Sequence, residues 1–152
     1  MHPFTVVFLA AVAATVGFKI WLAQRHIRYV VAHRDRVPGE FADRISLDSH
    51  RTAADYTCAK SRLGMVDLLV DNALLLLLTL GGGVAFLHGL AKSWFSGEIA
   101  SGLALIVLTG LVFALVGLPL AVYRTFGIEA RFGFNRMTLK LFLADLAKQA
   151  LV

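Results

Sequence analysis

The uninterrupted apolar stretch between Glu98 and Arg124 restricts the fold of this chain more than any other feature of its sequence. No charged residue lies within it, and roughly 25 residues are enough for a helix to cross a hydrocarbon core of about 30 Å. Lipid cannot form hydrogen bonds with a backbone, so a segment of this kind has to be helical. The sequence therefore predicts a spanning helix over residues 99–123 and an all-α integral membrane protein.

Two other apolar stretches are long enough to cross the membrane, one over residues 3–22 and one over residues 72–90. The first contains Lys19 and Trp21, which suit a membrane interface, and no basic segment precedes it, so a cleaved signal peptide is the less favoured interpretation. Three glycines at 81–83 interrupt the second stretch. We expect them to allow close packing of a neighbouring helix, although such glycines can also loosen a helix.

The basic residues are concentrated in two polar segments, one between the first two spans and one after the third. The chain has 15 lysines and arginines against 10 acidic residues, a net charge of +5, while 58% of its residues are hydrophobic. Lys and Arg next to a span resist translocation, so both segments are predicted to be cytoplasmic and the N-terminus to be outside. The positive net charge is therefore explained by the orientation of the chain in the lipid bilayer, which is its expected partner, and no nucleic-acid partner is needed to explain it.

The end of the chain, residues 138–152, is helical in character and becomes apolar again. The sequence thus predicts one transmembrane domain over residues 1–152, with three spanning helices, the start of a fourth and an amphipathic cytoplasmic segment. Within that segment we interpret Val37–Gly39 as a turn. Ser46 or Asp48 is then expected to cap a helix that runs on into the second span.

The sequence contains no local motif for catalysis or metal binding. A zinc peptidase of the H-E-x-x-H kind needs two histidines one helical turn apart with a glutamate as general base, and no histidine here is followed by Glu. His26 and His33 lack a third ligand, and the single cysteine, Cys58, cannot form an intrachain disulfide. We therefore predict no catalytic residue, no metal ligand and no cofactor in this chain.

Asp67 and Asp71 form a possible intramembrane polar pair, because their spacing places both carboxylates on one helix face near the entry to the second span. Carboxylates at such a depth need partners. One interpretation is an interfacial pair that Lys or Arg from the cytoplasmic segment between the first two spans neutralises. The other is a proton or ion relay, or the polar wall of an aqueous cavity.

The segment after the third span carries the most specific pattern, in which aromatic, acidic and turn residues occur in close order. It resembles the N-terminal region of the CAAX prenyl endopeptidases, a family of membrane-embedded zinc metalloproteases, and of their bacterial relatives. The residues that carry the resemblance are Pro119, Tyr123, Arg124, Phe126, Ile128, Glu129, Phe132, Gly133, Phe134, Asn135 and Thr138. Upstream, Tyr56 and Lys60 match a tyrosine and a lysine that the family has before its second span.

The resemblance implies a ring of long helices around a water-filled chamber, with the H-E-x-x-H helix and a further glutamate ligand far downstream. This chain would then be the non-catalytic N-terminal domain of a zinc metalloendopeptidase in a bacterial inner membrane, inactive alone. Its partners would be the downstream catalytic domain and a peptide or prenylated-protein substrate, and the zinc would belong to the full-length protein.

The residues of the pattern would be structural or chamber-lining. Glu129 is expected to form charge-assisted pairs with Arg124, Arg131 and Arg136. The aromatic residues on either side of Gly133 are expected to form a turn that docks on a neighbouring domain.

Two other classes of function remain open on the sequence. A small stand-alone helical membrane subunit would have the same composition and topology. A transporter or proton-relay component would make Asp67, Asp71 and His88 its central residues.

Overall fold

The computed structural model describes residues 2–151, with side chains described for residues 2–148. Every regular element in this part of the chain is helical, which confirms the all-α class. Its α-helices are α1 (Pro3–Ala32), α2 (Leu47–Thr79), α3 (Gly83–Trp94), α4 (Glu98–Val122) and α5 (Leu139–Leu151). A short 3-10 turn, Gly39–Phe41, precedes α2, and a π-helical segment, Tyr123–Glu129, continues α4 and is called the π segment below. Residue 1 and residue 152, the end of the predicted fourth helix, lie outside the described residues.

α1 is longer than the span predicted for it. The helix contains 30 residues. At 1.5 Å per residue it is about 45 Å long, whereas the hydrocarbon core is about 30 Å thick. The Trp21 ring stacks on Phe18 with centroids 5.9 Å apart, and the Arg25 guanidinium lies 5.6 Å from its centroid. An aromatic ring with a cation over it is typical of a membrane interface, so we expect α1 to extend beyond the bilayer toward Ala32.

α2 begins where the sequence predicts and extends into the second apolar stretch. The Ser46 hydroxyl oxygen accepts a hydrogen bond from the Ser49 backbone N–H at 3.1 Å, which confirms Ser46 as the N-cap. The helix has 33 residues. That is about 50 Å, so only part of it fits within a bilayer. We place its charged first half, residues 47–62, outside the membrane-spanning part.

Leu80, Gly81 and Gly82 separate α2 from α3, which begins at Gly83, and the two helices are bent by 64° relative to each other. Gly82 has a φ of 78°, the left-handed conformation that favours glycine. A Cβ at Gly81 would lie 2.5 Å from the Leu77 carbonyl oxygen, which leaves no room for a side chain. The glycines thus break the predicted 72–90 span instead of admitting a neighbouring helix, which corrects our expectation for them.

A small apolar core joins α2, α3 and α4, and α1 packs along α2. The buried members of this core are Leu74, Leu78 and Leu87, and the α4 side chains packed against them are Leu105, Leu108, Val112 and Phe113. Among the described residues, α1 and residues 98–129 are long and apolar enough to cross a membrane. The bent pair of α2 and α3 adds a third crossing if it spans as one unit.

Candidate functional site

The pattern that follows the apolar stretch begins inside α4, at Pro119. Proline has no backbone N–H and cannot donate to the carbonyl four residues earlier, so an α-helix is weakened at this point. Four residues later the α-helix widens into the π segment. Such π turns are rare and are found frequently at functional sites. The helix therefore loses its regular α geometry where the apolar stretch ends.

Gly127 lets the Tyr123 ring lie against the backbone of the π segment. A Cβ at this position would lie 3.0 Å from Cδ2 of the ring, closer than ordinary van der Waals contact. Nearby, Ile128 is buried, and Phe126 packs against Phe142 of α5 with ring centroids 5.5 Å apart. The sequence prediction did not include Gly127, although a glycine four residues after an aromatic residue on a helix is a signal for such a contact.

A turn at Gly133 follows the π segment, and the φ of 74° at this glycine is again the left-handed conformation. The backbone N–H groups of Phe134 and Asn135 both donate to the Glu129 carbonyl oxygen, at 2.9 and 3.1 Å. Hydrogen bonds of this kind satisfy the last carbonyl groups of a helix and reverse the chain. Gly133 is therefore required in the pattern, because the backbone adopts a conformation here that residues with a Cβ rarely adopt.

The next two polar residues of the pattern guide the chain into α5. The Asn135 side-chain oxygen accepts a hydrogen bond from the Met137 N–H at 2.7 Å, as in a turn that mimics the backbone. The Thr138 hydroxyl oxygen accepts from the Leu141 N–H at 3.3 Å, as an N-cap does. Both side chains are therefore engaged with the local backbone.

Tyr56 of α2 is the residue on which the turn docks. Its ring centroid lies 4.8 Å from that of Phe134 and 5.6 Å from that of Phe132. Two cations flank this aromatic cluster, Lys60 over Tyr56 and Arg131 over Phe132, each 5.7 Å from the ring centroid. The aromatic residues of the turn thus contact α2 of the same chain, whereas we expected them to dock on a neighbouring domain.

Asp67 of α2 forms an ion pair with Arg124 of the π segment. Both side chains are partly buried, with 26% of Asp67 and 41% of Arg124 exposed. The cation comes from the segment after the third apolar stretch, which corrects the predicted source of the partner. Among the described side chains, Asp71 is exposed and forms no ion pair, so the structure does not bring both carboxylates to one partner.

Glu129 stabilises the turn at Gly133 through its backbone carbonyl, which accepts the two hydrogen bonds described above. Within residues 2–148 its carboxylate forms no ion pair, contrary to our expectation of pairs with Arg124, Arg131 and Arg136. Arg124 is held by Asp67. Arg131 lies over the Phe132 ring.

A second ion pair, which no local sequence pattern indicates, joins the end of α1 to the charged half of α2. Arg34 donates to both carboxylate oxygens of Asp55, at 2.8 and 2.7 Å. This hydrogen bonding raises the pKa of the Arg34 guanidinium and lowers the pKa of the Asp55 carboxyl, and desolvation opposes both shifts only in part. Asp35 extends the cluster by accepting from Arg51 at 2.6 Å.

No group of three or more His, Cys, Asp or Glu side chains in the described part of the chain is arranged to hold a metal ion. The donors present here do not fit a zinc site, which needs three or four such ligands around one point. The Asp67–Arg124 pair, the cluster around Tyr56 and the contact of Phe126 with Phe142 fasten the π segment to α2 and α5.

This chain is similar to a family model and to several known proteins. A family model described as CAAX prenyl protease N-terminal, five membrane helices, matches residues 26–152. The CAAX prenyl protease 1 homologs of Mus musculus and Homo sapiens are 31% and 30% identical over 142 residues, and each alignment covers 89% of this chain and 30% of the relative. The probable CAAX prenyl protease 1 of Schizosaccharomyces pombe is 24% identical over 160 residues, which covers 97% of this chain and 33% of the relative. The chain thus spans about a third of the length of these curated relatives.

Among solved structures, the crystal structure of S. mikatae Ste24p is similar to this chain with a TM-score of 0.87. The match covers 99% of this chain and 36% of that chain. At 23% sequence identity, it shows a shared fold. The family description gives five membrane helices, where the sequence predicted three spans and the start of a fourth.

Proposed function

The chain belongs to the family of CAAX prenyl protease N-terminal domains, and on this basis we propose that it is the non-catalytic membrane domain of a zinc metalloendopeptidase. The match of the family model to residues 26–152 carries the proposal. Because the donors in the described part of the chain do not fit a zinc site, the proposal assigns the zinc and the catalytic residues to a downstream catalytic domain. The substrates are peptides or prenylated proteins, a class suggested by the names of the relatives.

The domain contributes part of the wall of an intramembrane chamber around the protease site. The open arrangement of its helices supports this role, since in the described residues α1 packs against α2 alone and few side chains are buried. Long helices that pack side by side, with apolar residues left exposed, can face lipid on one side and other helices of a ring on the other. A closed bundle would bury its own apolar faces instead.

The fastened turn after the π segment supports a role in positioning the catalytic domain. The cluster around Tyr56 holds the turn against α2, and the hydrogen bonds of Asn135 and Thr138 guide the chain from this turn into α5. Together they fix the direction of α5 relative to α2. A catalytic site needs its groups held to within a fraction of an ångström, and rigid supports outside the site provide this. The residues of the pattern are therefore structural, and the ion pair of Asp67 with Arg124 favours the same interpretation over a proton relay.

In the membrane, the domain has its N-terminus outside and both arginine-rich segments, including the Phe132–Asn135 turn, in the cytoplasm. The concentration of basic residues in these segments supports the orientation. α1, the bent pair of α2 and α3, and α4 then make three crossings. The relatives named above are eukaryotic, so the assignment to a bacterial inner membrane stays a prediction that depends on the resemblance.

Zinc content and peptidase activity test the proposal. The full-length protein and residues 1–152 are purified separately and assayed for zinc and for cleavage of a farnesylated CAAX peptide. We expect about one zinc per chain and cleavage from the full-length protein only. Replacing the glutamate of its downstream H-E-x-x-H should abolish cleavage and leave the zinc bound, whereas replacing a histidine ligand should remove both. A reading frame without such a motif would contradict the proposal and favour a stand-alone subunit. Stoichiometric zinc on residues 1–152 would show that this part of the chain contains zinc ligands, which the proposal assigns to the downstream domain.

A further inference from the structure

A groove runs between α2 and the π segment at the boundary between the basic surface and the apolar helices. Its larger part has a volume of about 510 Å³ and is lined on α2 by Arg62, Leu63 and Val66 and on the other side by Tyr123 and Arg131. A smaller cavity of about 270 Å³ shares both arginines and extends toward Asp55. Both arginines therefore line both cavities, Arg62 from α2 and Arg131 from the chain just after the π segment.

The groove has an excess of positive charge. Among the described side chains, neither Arg62 nor Arg131 forms an ion pair. The one carboxylate that lines the smaller cavity, Asp55, already accepts two hydrogen bonds from Arg34. Two arginines beside one groove suit a phosphate, because each guanidinium can donate two parallel hydrogen bonds to its oxygens.

The rest of the groove is apolar. Leu63 is buried, whereas Val66 and Tyr123 are exposed, and the residues beyond them on α2 and α4 are those of the apolar stretches. A phosphate alone would gain nothing from these side chains. A molecule with an anionic head and a hydrocarbon tail would contact both parts of the groove at once.

We propose that this groove binds an anionic phospholipid, with the phosphate between Arg62 and Arg131 and an acyl chain along Leu63, Val66 and Tyr123. The lipid would fill the space between α2 and the π segment, the two elements that the Asp67–Arg124 pair joins. The inference concerns a lipid site and does not depend on peptidase activity.

Lipid retention by the full-length protein tests the proposal. The protein is reconstituted in nanodiscs of phosphatidylcholine with increasing fractions of phosphatidylglycerol, and the lipid that stays bound after mild detergent extraction is counted by native mass spectrometry. Arg62→Gln and Arg131→Gln should each weaken retention of phosphatidylglycerol about tenfold. Arg131→Lys should keep more of it than Arg131→Gln, since the charge remains. Arg44→Gln is the matched control, because it removes the same charge from an exposed site outside the groove.

A second variant keeps the test independent of folding. Val66→Trp adds bulk to the groove without removing a charge, and it should displace the lipid while the thermal unfolding midpoint stays within a few degrees of the wild type. Equal loss of lipid in Arg44→Gln would overturn the proposal in favour of unspecific attraction to a basic surface. Displacement of the lipid by millimolar inorganic phosphate would indicate a site for the free ion. A photocrosslinker at position 66 that captures a protein segment instead of lipid would assign the groove to a protein contact.

Discussion

Asp67 and Arg124 are separated by 57 positions in the chain and still meet through their side chains. The pair lies partly buried, where the π segment meets α2. In such a setting the attraction of the pair is offset by the cost of removing both charges from water, whereas loss of one partner leaves the other charge uncompensated. The pair therefore acts mainly as a constraint on how the two elements fit together.

We expect Asp67→Asn and Arg124→Gln each to lower the free energy of unfolding by about 1–3 kcal/mol, because each leaves one partly buried charge unpaired. The double variant should lose less than the sum of the single losses. Denaturant unfolding of the detergent-solubilised protein measures these values. Asp71→Asn is the matched control, the same change one helical turn away on an exposed side chain. A loss of transport or activity that follows Asp71 and not Asp67 would contradict the structural interpretation and favour a relay.

The contact between Phe134 and Tyr56 should contribute less than a core contact, because 53% of Phe134 is exposed. We expect a double-mutant cycle of Tyr56→Leu and Phe134→Leu to give a coupling free energy of about 0.5–1.5 kcal/mol. Phe41→Leu is the control, since Phe41 is 48% exposed and lies in the 3-10 turn before α2. Additive losses for Tyr56 and Phe134 would mean that the two rings do not stabilise each other.

The helices differ in how far the sequence determines them. The apolar stretch over residues 99–123 and the cap at Ser46 are local signals, and both were confirmed by α4 and the start of α2. The glycines at 81–83 are also a local signal, but the same residues suit a close helix contact and a helix break. Only the backbone conformation, with Gly82 at positive φ, distinguishes between these two outcomes.

The break between α2 and α3 predicts that an added side chain is tolerated differently at Gly81, which lies in the break, and at Gly89, which lies within α3. Gly81→Ala should destabilise the protein by about 1–3 kcal/mol, because its Cβ would meet the Leu77 carbonyl oxygen at 2.5 Å and backbone atoms cannot move aside easily. Gly89→Ala in α3 is the control, since a Cβ there meets nothing within 4 Å. Thermal unfolding midpoints in detergent compare the two. If Gly81→Ala is as stable as Gly89→Ala, the bend does not depend on the absence of a side chain at Gly81.

For the molecule as a whole, the resemblance indicated which residues form the pattern after the third apolar stretch, but the contacts of these residues depend on tertiary packing. The turn at Gly133 could be predicted because glycine and asparagine act on their own backbone. The partner of Arg124 could not, since Glu129 is closer in sequence than Asp67 and the choice depends on how α2 lies against the π segment. The Arg34–Asp55 pair across α1 and α2 escaped prediction for the same reason.

The path of the chain through the membrane is the property on which the proposed architecture depends, and cysteine labelling tests it. In a Cys58→Ala background, single cysteines replace the exposed residues Arg44, Lys92 and Arg136. If the bent pair of α2 and α3 crosses as one span, the basic segments stay inside, and an impermeant maleimide applied to intact cells should label position 92 alone.

If α2 and α3 instead form a re-entrant loop, positions 44 and 92 lie on the same side and α4 carries the chain across, so position 136 alone should be labelled in intact cells. Labelling after permeabilisation is the control that all three cysteines are reactive. The pattern therefore distinguishes three crossings from two, and labelling of position 44 in intact cells would contradict both. The Asp67–Arg124 pair and the Tyr56 cluster hold the π segment and the turn after it against α2. These contacts require the π segment and the charged half of α2 to lie on the same side of the membrane, so they agree with the three-crossing pattern and not with the re-entrant loop.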